Sequence, residues 1–195
     1  MNKLVIIALS FFIGNFIYAE EETRELGDVN AVSVKGIFQV TLVESDKNTI
    51  KITPIADGVN TADILSRVTN GKLEIYSKKR NFKDKDFHIT LYYKKGAIND
   101  FNVRNGAELL TEPGVKISGE TVNVSCNMGG KIYAEFEADK VNLSIKQGGS
   151  IRLIGTVKEY VGVIQTGGRV SCSQLLCNKA NAKISMGGEM ILNVK

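Results

Sequence analysis

Four glycine pairs punctuate the second half of this chain: Gly129 and Gly130, Gly148 and Gly149, Gly167 and Gly168, and Gly187 and Gly188. They recur after 19, 19 and 20 residues, and each sits in the same setting. Apolar side chains alternate with polar ones before the pair, as at Val122, Val124 and Cys126 or Val141, Leu143 and Ile145. They alternate again after it, as at Ile132 and Ala134 or Ile151 and Leu153, and the last repeat offers Ala180, Ala182, Ile184, Met190 and Leu192. Period-two alternation is the mark of a strand buried on one face, so each repeat reads as two short strands meeting at a corner. With no helix between strands, a βαβ sheet is excluded.

A meander of hairpins would place each glycine pair in a tight turn and reverse strand direction within the repeat. A solenoid instead makes each repeat one coil, with equivalent strands stacked in parallel about 4.8 Å apart. Two facts favour the solenoid. Apolar positions recur at matching offsets, and no single repeat can bury its own apolar face. Glycine then has a physical reason at the corner, where the bend demands open backbone angles and stacking leaves little room for a Cβ atom. One repeat leaves its register open: Tyr160, Gly162 and Ile164 keep the alternation, whereas Val161 and Val163 are more apolar, so a bulge here is the alternative.

Upstream, "AVSVKGIFQVTLVE", "TIKITPI", "GKLEIYS" and "FHITLYY" also read as strands. "FNVRNGAELL" has the form of a coil whose corner is Asn105 and Gly106. The segment "GVNTADILSRVTNG" predicts one short helix capped by Asn60 or Thr61. No proline-rich or serine-rich linker divides the chain, so residues 20–195 are expected to form a single domain.

Residues 1–19 read as a cleavable secretory leader. Lys3 supplies the positive start, Leu4 to Phe16 an apolar run shorter than the ~20 residues that span a bilayer, and Ile17 and Ala19 the cleavage positions. Loss of Lys3 lowers the net charge from +4 to +3, too little to point to nucleic acid. The densest charge cluster, Ser77 to Phe87, mixes both signs as a solvated loop does. Three cysteines are an odd set for an exported chain. Cys172 and Cys177 are close enough to bridge a turn, and buried thiols are the other reading of all three, Cys126 included.

Enzymatic patterns are missing. His88 is the only histidine, no G-x-S-x-G elbow occurs, and the glycine-rich corners lack the lysine and helix of a phosphate loop. A polysaccharide-acting β-helix would need to gather carboxylates and bases, for which Lys83, Asp84, Asp86, His88 and Asp100 are the candidates. Beside the glycines stand Met128, Gln147, Thr166 and Met186, then Lys131, Ser150, Arg169 and Glu189, which form no ladder of calcium ligands. No metal, cofactor or catalytic residue is expected. Outward positions such as Asn123, Asn142, Ser125 and Ser144 instead predict a polar, weakly charged face.

The succession of "AVSVKGIFQVTLVE", "ILSRVTNGKLEIYS" (with Val68, Gly71, Leu73 and Ile75), "FNVRNGAELL" and glycine-cornered repeats resembles the bacterial family called putative autotransporter adhesin, head GIN domain. The resemblance covers Val29 to Lys195 and implies an all-β right-handed parallel β-helix, a β-solenoid with ~19–20-residue coils. It implies export to the periplasm, the outer membrane or the cell surface of a bacterium. A membrane β-barrel following Lys195 is not expected. The long outward faces of a solenoid suit extended ligands, so the expected function is non-enzymatic, adhesin-like binding of a glycan or envelope protein through those faces. An architectural module that associates with its own copies through open solenoid ends is the alternative.

Overall fold

Wherever the sequence alternates, a strand forms, and the strands wind into one solenoid. The computed structural model describes residues 21–78 and 86–195. The expected leader, Lys83, Asp84 and most of the charged Ser77–Phe87 segment lie outside the described residues. The strands are β1 (Glu22–Glu25), β2 (Ala31–Lys35), β3 (Gln39–Glu44), β4 (Thr49–Pro54), β5 (Ile64–Thr69), β6 (Lys72–Ser77), β7 (Phe87–Tyr93), β8 (Asp100–Arg104), β9 (Glu108–Thr111), β10 (Lys116–Asn127), β11 (Lys131–Gln147), β12 (Ser150–Thr166), β13 (Arg169–Met186) and β14 (Glu189–Val194). Together they make a β-solenoid of about 5 turns.

In the second half each long strand runs from one glycine corner to the next. Its residues pair in parallel with those one coil away: Val122 with Val141, Val141 with Tyr160, and Tyr160 with Ala180 on the first face. After the corner, Ile132, Ile151, Val170 and Met190 stack on the second face. A third face, residues 116–121, 135–140, 154–159 and 174–179, carries the chain back without breaking the strand. The core is the column of inward side chains, Phe136, Val141, Ile145, Leu153, Tyr160 and Leu175 among them, all almost wholly buried.

The register left open at Tyr160 is settled in favour of the regular alternation. Tyr160, Gly162 and Ile164 point inward, while Val161 and Val163 are half-buried. The bulge lies one coil later. Pairing shifts between Arg152–Ser171 and Ile154–Gln174, so β13 carries one extra residue, which is why the last repeat measures 20 residues rather than 19.

The glycines of one corner do different things. At Gly148, φ is 62° and an added Cβ would meet nothing within 4 Å, so only its backbone angle calls for glycine. At Gly149, φ is 151° and an added Cβ would lie 2.8 Å from Cys126 Sγ and 3.2 Å from the Gly130 carbonyl of the coil beneath. The corners are stitched by backbone hydrogen bonds from Ser150 N–H to Gly130 O (3.0 Å) and from Arg169 N–H to Gly149 O (2.9 Å). Stacking leaves no space there for a side chain.

The first half obeys the same geometry in a different order. β2 and β3 form a coil, as do β8 and β9 about the Asn105–Gly106 corner. β6 and β7, which come between them in sequence, pack on the opposite side of β2 and β3. The stack therefore runs β6/β7, β2/β3, β8/β9 and onward. Its first end is closed by antiparallel strands, β4 on β7, β1 on β4 and β5 on β6, in the region where the sequence marks strands but not their direction.

The expected helix in this region shrinks to one 3-10 turn, Thr61–Asp63, whose cap is Asn60: its Oδ1 accepts from Ala62 N–H at 2.8 Å. Two residues explain the outcome. Asn70 (φ 50°) and Gly71 (φ 75°) form the left-handed pair of a tight hairpin, which pins Ile64–Thr69 as a strand against β6. Arg24 of β1 then ties this end together, donating to both carboxylate oxygens of Glu22 at 2.7 Å and to the carbonyls of Ile64 (2.8 Å) and Thr61 (3.2 Å). That contact holds the Glu22 carboxyl down at about 2 against its burial.

Candidate functional site

Because the coils are in register, outward side chains stand in rows, and opposite charges face each other across neighbouring coils. Lys131 meets Glu108, Lys116 meets Glu135 at 3.6 Å, Lys140 meets Glu159 at 3.4 Å, and Arg169 meets Glu189 at 2.8 Å. Such exposed pairs contribute roughly 0.2–1 kcal/mol each, and they neutralise the rungs. The polar ladder read from the sequence is present in part: Asn142 Nδ2 donates to Asn123 Oδ1 at 3.0 Å.

Several concavities interrupt this surface. The largest among the described residues, about 730 Å³, crosses the third face of β10 to β13. The small residues Gly119 and Ala138 pair in register with Val157 along it, flanked by Glu137, Thr156, Asp139 and Lys158, the last two bridged at 2.7 Å. A second groove of about 360 Å³ lies at the other edge of that face, beside Tyr133 (37% exposed), where Arg152 Nη2 donates to Gln174 Oε1 at 3.0 Å. A third, about 200 Å³, opens on the first face between Ser33, Lys35, Glu74, Tyr76 and Arg104. Sequence reasoning missed all three, because each is formed by residues that only the coil register brings together.

The corner glycines, from Gly129 and Gly130 to Gly187 and Gly188, line the bends and none of these cavities. The bridge that the sequence leaves open between Cys172 and Cys177 is not formed: all three cysteines are free, buried thiols. Each has a partner of its own. Cys126 Sγ donates to Gly130 O at 2.8 Å, Cys177 Sγ donates to Asn193 O at 3.4 Å, and Cys172 lies against the Tyr160 hydroxyl. Burial pushes the Cys126 thiol up to about 11 and Cys172 up to about 12, and it raises Cys177 and Tyr160 as well. Protonated thiols of this kind are poor nucleophiles.

The acid–base candidates do not converge. His88 points outward from β7, opposite Gln39 and Thr53, whereas Asp100 opens β8 beside Ala31 and Asn123. Asp86 precedes β7, and none of the three lines a described cavity. Among the described residues no group of three His, Cys, Asp or Glu side chains is placed to hold a metal ion. No helix among them is long and apolar enough to cross a membrane.

No curated protein matches the chain. Solved structures do, at identities that speak for the fold alone. A protein described as a putative adhesin from Parabacteroides merdae has a TM-score of 0.66 at 17% identity, over 87% of this chain and 78% of that one. A putative adhesin from Parabacteroides distasonis has a TM-score of 0.59 at 18% identity, over 87% and 79%. A protein from the same species described as a putative lipid binding protein has a TM-score of 0.61 at 20% identity, over 88% and 81%. The family model described as "Putative auto-transporter adhesin, head GIN domain" matches residues 28–195.

Proposed function

We propose that this chain, which belongs to the putative auto-transporter adhesin, head GIN domain family, is a non-enzymatic exported protein of the bacterial envelope or surface that holds an extended glycan along the outside of its solenoid. The observation that carries this reading is the groove of about 730 Å³ across four successive strands, β10 to β13. Its polar groups recur once per coil, about every 4.8 Å, which suits a polymer with a repeating unit rather than a compact ligand. Glu120, Glu137, Asp139 and Asn178 offer acceptors for hydroxyls, and Lys158 and Thr156 offer donors. The Glu137 and Asp139 carboxylates sit in ion pairs with Lys116 and Lys158, a recognition surface rather than a poised acid–base couple.

The test is retention of glycans and purified envelope polymers by immobilised residues 20–195, alongside Thr156→Trp, which fills the groove from an outward position. A polymer held by the parent and bound about tenfold more weakly by the variant is the expected result. Retention of nothing, or retention that Thr156→Trp leaves untouched, would overturn the reading.

A second reading rests on the other end of the stack. Among the described residues, β14 and the last stretch of β13 pair with a strand on one side only, and Ile184, Met186, Ile191 and Val194 are 43–64% exposed there. An open apolar edge of this kind pairs readily with another strand, so two copies would associate end to end. Mass measured across a concentration series should then rise; a constant monomer mass sinks this second reading.

A further inference from the structure

Lys35 and Arg104 break the charge pattern of the solenoid. β2 lies between β6 and β8, and the register sets Lys35 beside Tyr76 on one side and Arg104 on the other. The rungs formed by Lys131, Lys116, Lys140 and Arg169 each set a base against an acid, but here two cations stand directly opposite on neighbouring strands, an arrangement that weakens a sheet. Among the described residues no carboxylate is ion-paired with either. Arg104 Nε is buried without a hydrogen-bond partner, a second cost, since a buried donor left unmade forfeits its hydration. Both side chains line the same cavity of about 200 Å³. Local rules broken together at one cavity mark a place where something outside the chain completes the interactions.

We propose that this cavity binds a carboxylate-bearing sugar. The Arg104 guanidinium and the Lys35 ammonium receive the carboxylate, neutralising the like-charge rung and giving Nε the acceptor it lacks. Tyr76, half-buried at the cavity wall, offers its ring to the C–H face of the pyranose, while Glu74 and the Ser33 hydroxyl hydrogen-bond the ring hydroxyls. Glu74 also separates this site from a plain anion pocket. Its carboxylate, paired with Lys72 at 3.4 Å, is a poor neighbour for a bare oxyanion but accepts from the hydroxyls of a sugar. The volume is below the ~300–1,000 Å³ that takes drug-sized molecules, so one ring fits. The site shares no residue with the groove on the third face and stands independently of it.

The experiment is titration of residues 20–195 with methyl glucuronide, methyl galacturonide and the methyl glycoside of N-acetylneuraminic acid. Methyl glucoside and inorganic phosphate serve as controls, and Lys35→Gln, Arg104→Gln and Thr156→Trp as variants. Lys35 is exposed, so its variant folds as the parent does and keeps the test decisive if Arg104→Gln is unstable. The expected result is that at least one acidic sugar binds, methyl glucoside binds at least tenfold more weakly, and Lys35→Gln weakens the acidic sugar about tenfold. Added salt should weaken binding too. Absence of acidic-sugar binding, phosphate binding as tight as the sugar, or a Lys35→Gln variant that binds like the parent overturns the proposal. Sugar lost in Thr156→Trp but kept in Lys35→Gln overturns this site and leaves the groove reading standing.

Discussion

Gly155→Ala should lower the melting temperature by roughly 5–20 °C, the largest effect expected of any single methyl group added to this chain. Gly155 lies on β12 in register between Phe136 of β11 and Leu175 of β13, where the second face gives way to the third and away from the glycine pairs. Its φ is 109°, a backbone angle that costs a side chain about 1–3 kcal/mol. An added Cβ would sit 2.1 Å from the Phe136 carbonyl oxygen, so the obstacle is ladder backbone, not a side-chain tip that can swing away. Overpacking of this kind costs about 1–3 kcal/mol more, because relief means shifting one coil against the next. Thermal unfolding followed by circular dichroism measures the effect, and a variant that melts with the parent would show that the coils slide past each other freely.

The second large effect separates the two glycines of one corner. Gly149→Val should cost about 2–5 kcal/mol, combining the strain of φ 151° with a clash against Cys126 Sγ and the Gly130 carbonyl. Gly148→Asn should stay within about 1 kcal/mol of the parent, since asparagine tolerates the left-handed region and open space surrounds that position. Denaturant titration of both variants against the parent decides it. Equal losses would mean that the two positions share one role, contrary to the contacts described at the corner.

Much of the architecture was legible because stacking forces repetition into the sequence. The inward column of Val122, Val141, Tyr160 and Ala180 can be read as a period of 19 and 20, and the corner pairs mark where each coil bends. Gly155 was not legible, since a lone glycine in "RLIGTV" announces neither its backbone angle nor the carbonyl pressed against it. The hairpin at Asn70 and Gly71 was carried by a familiar dipeptide, but polar spacing ahead of it resembled a helix start, and tertiary pairing with β6 prevailed. The cavities were hidden for a further reason. Lys35, Tyr76 and Arg104 are far apart in sequence and become neighbours only because β6 and β8 flank β2.

That flanking fixes the order in which the molecule can be assembled. Val32 needs Leu73 on one side and Phe101 on the other, so the earliest coil of the chain cannot close until everything through β9 is available. Contacts so distant in sequence are slow to form, and this part must fold as one block. From β10 onward each coil meets a finished template and adds after 19 or 20 residues, in the manner of a growing crystal face. A chain emerging from its first residue therefore completes its first coil only once β9 is available, whereas each later coil needs only the one before it.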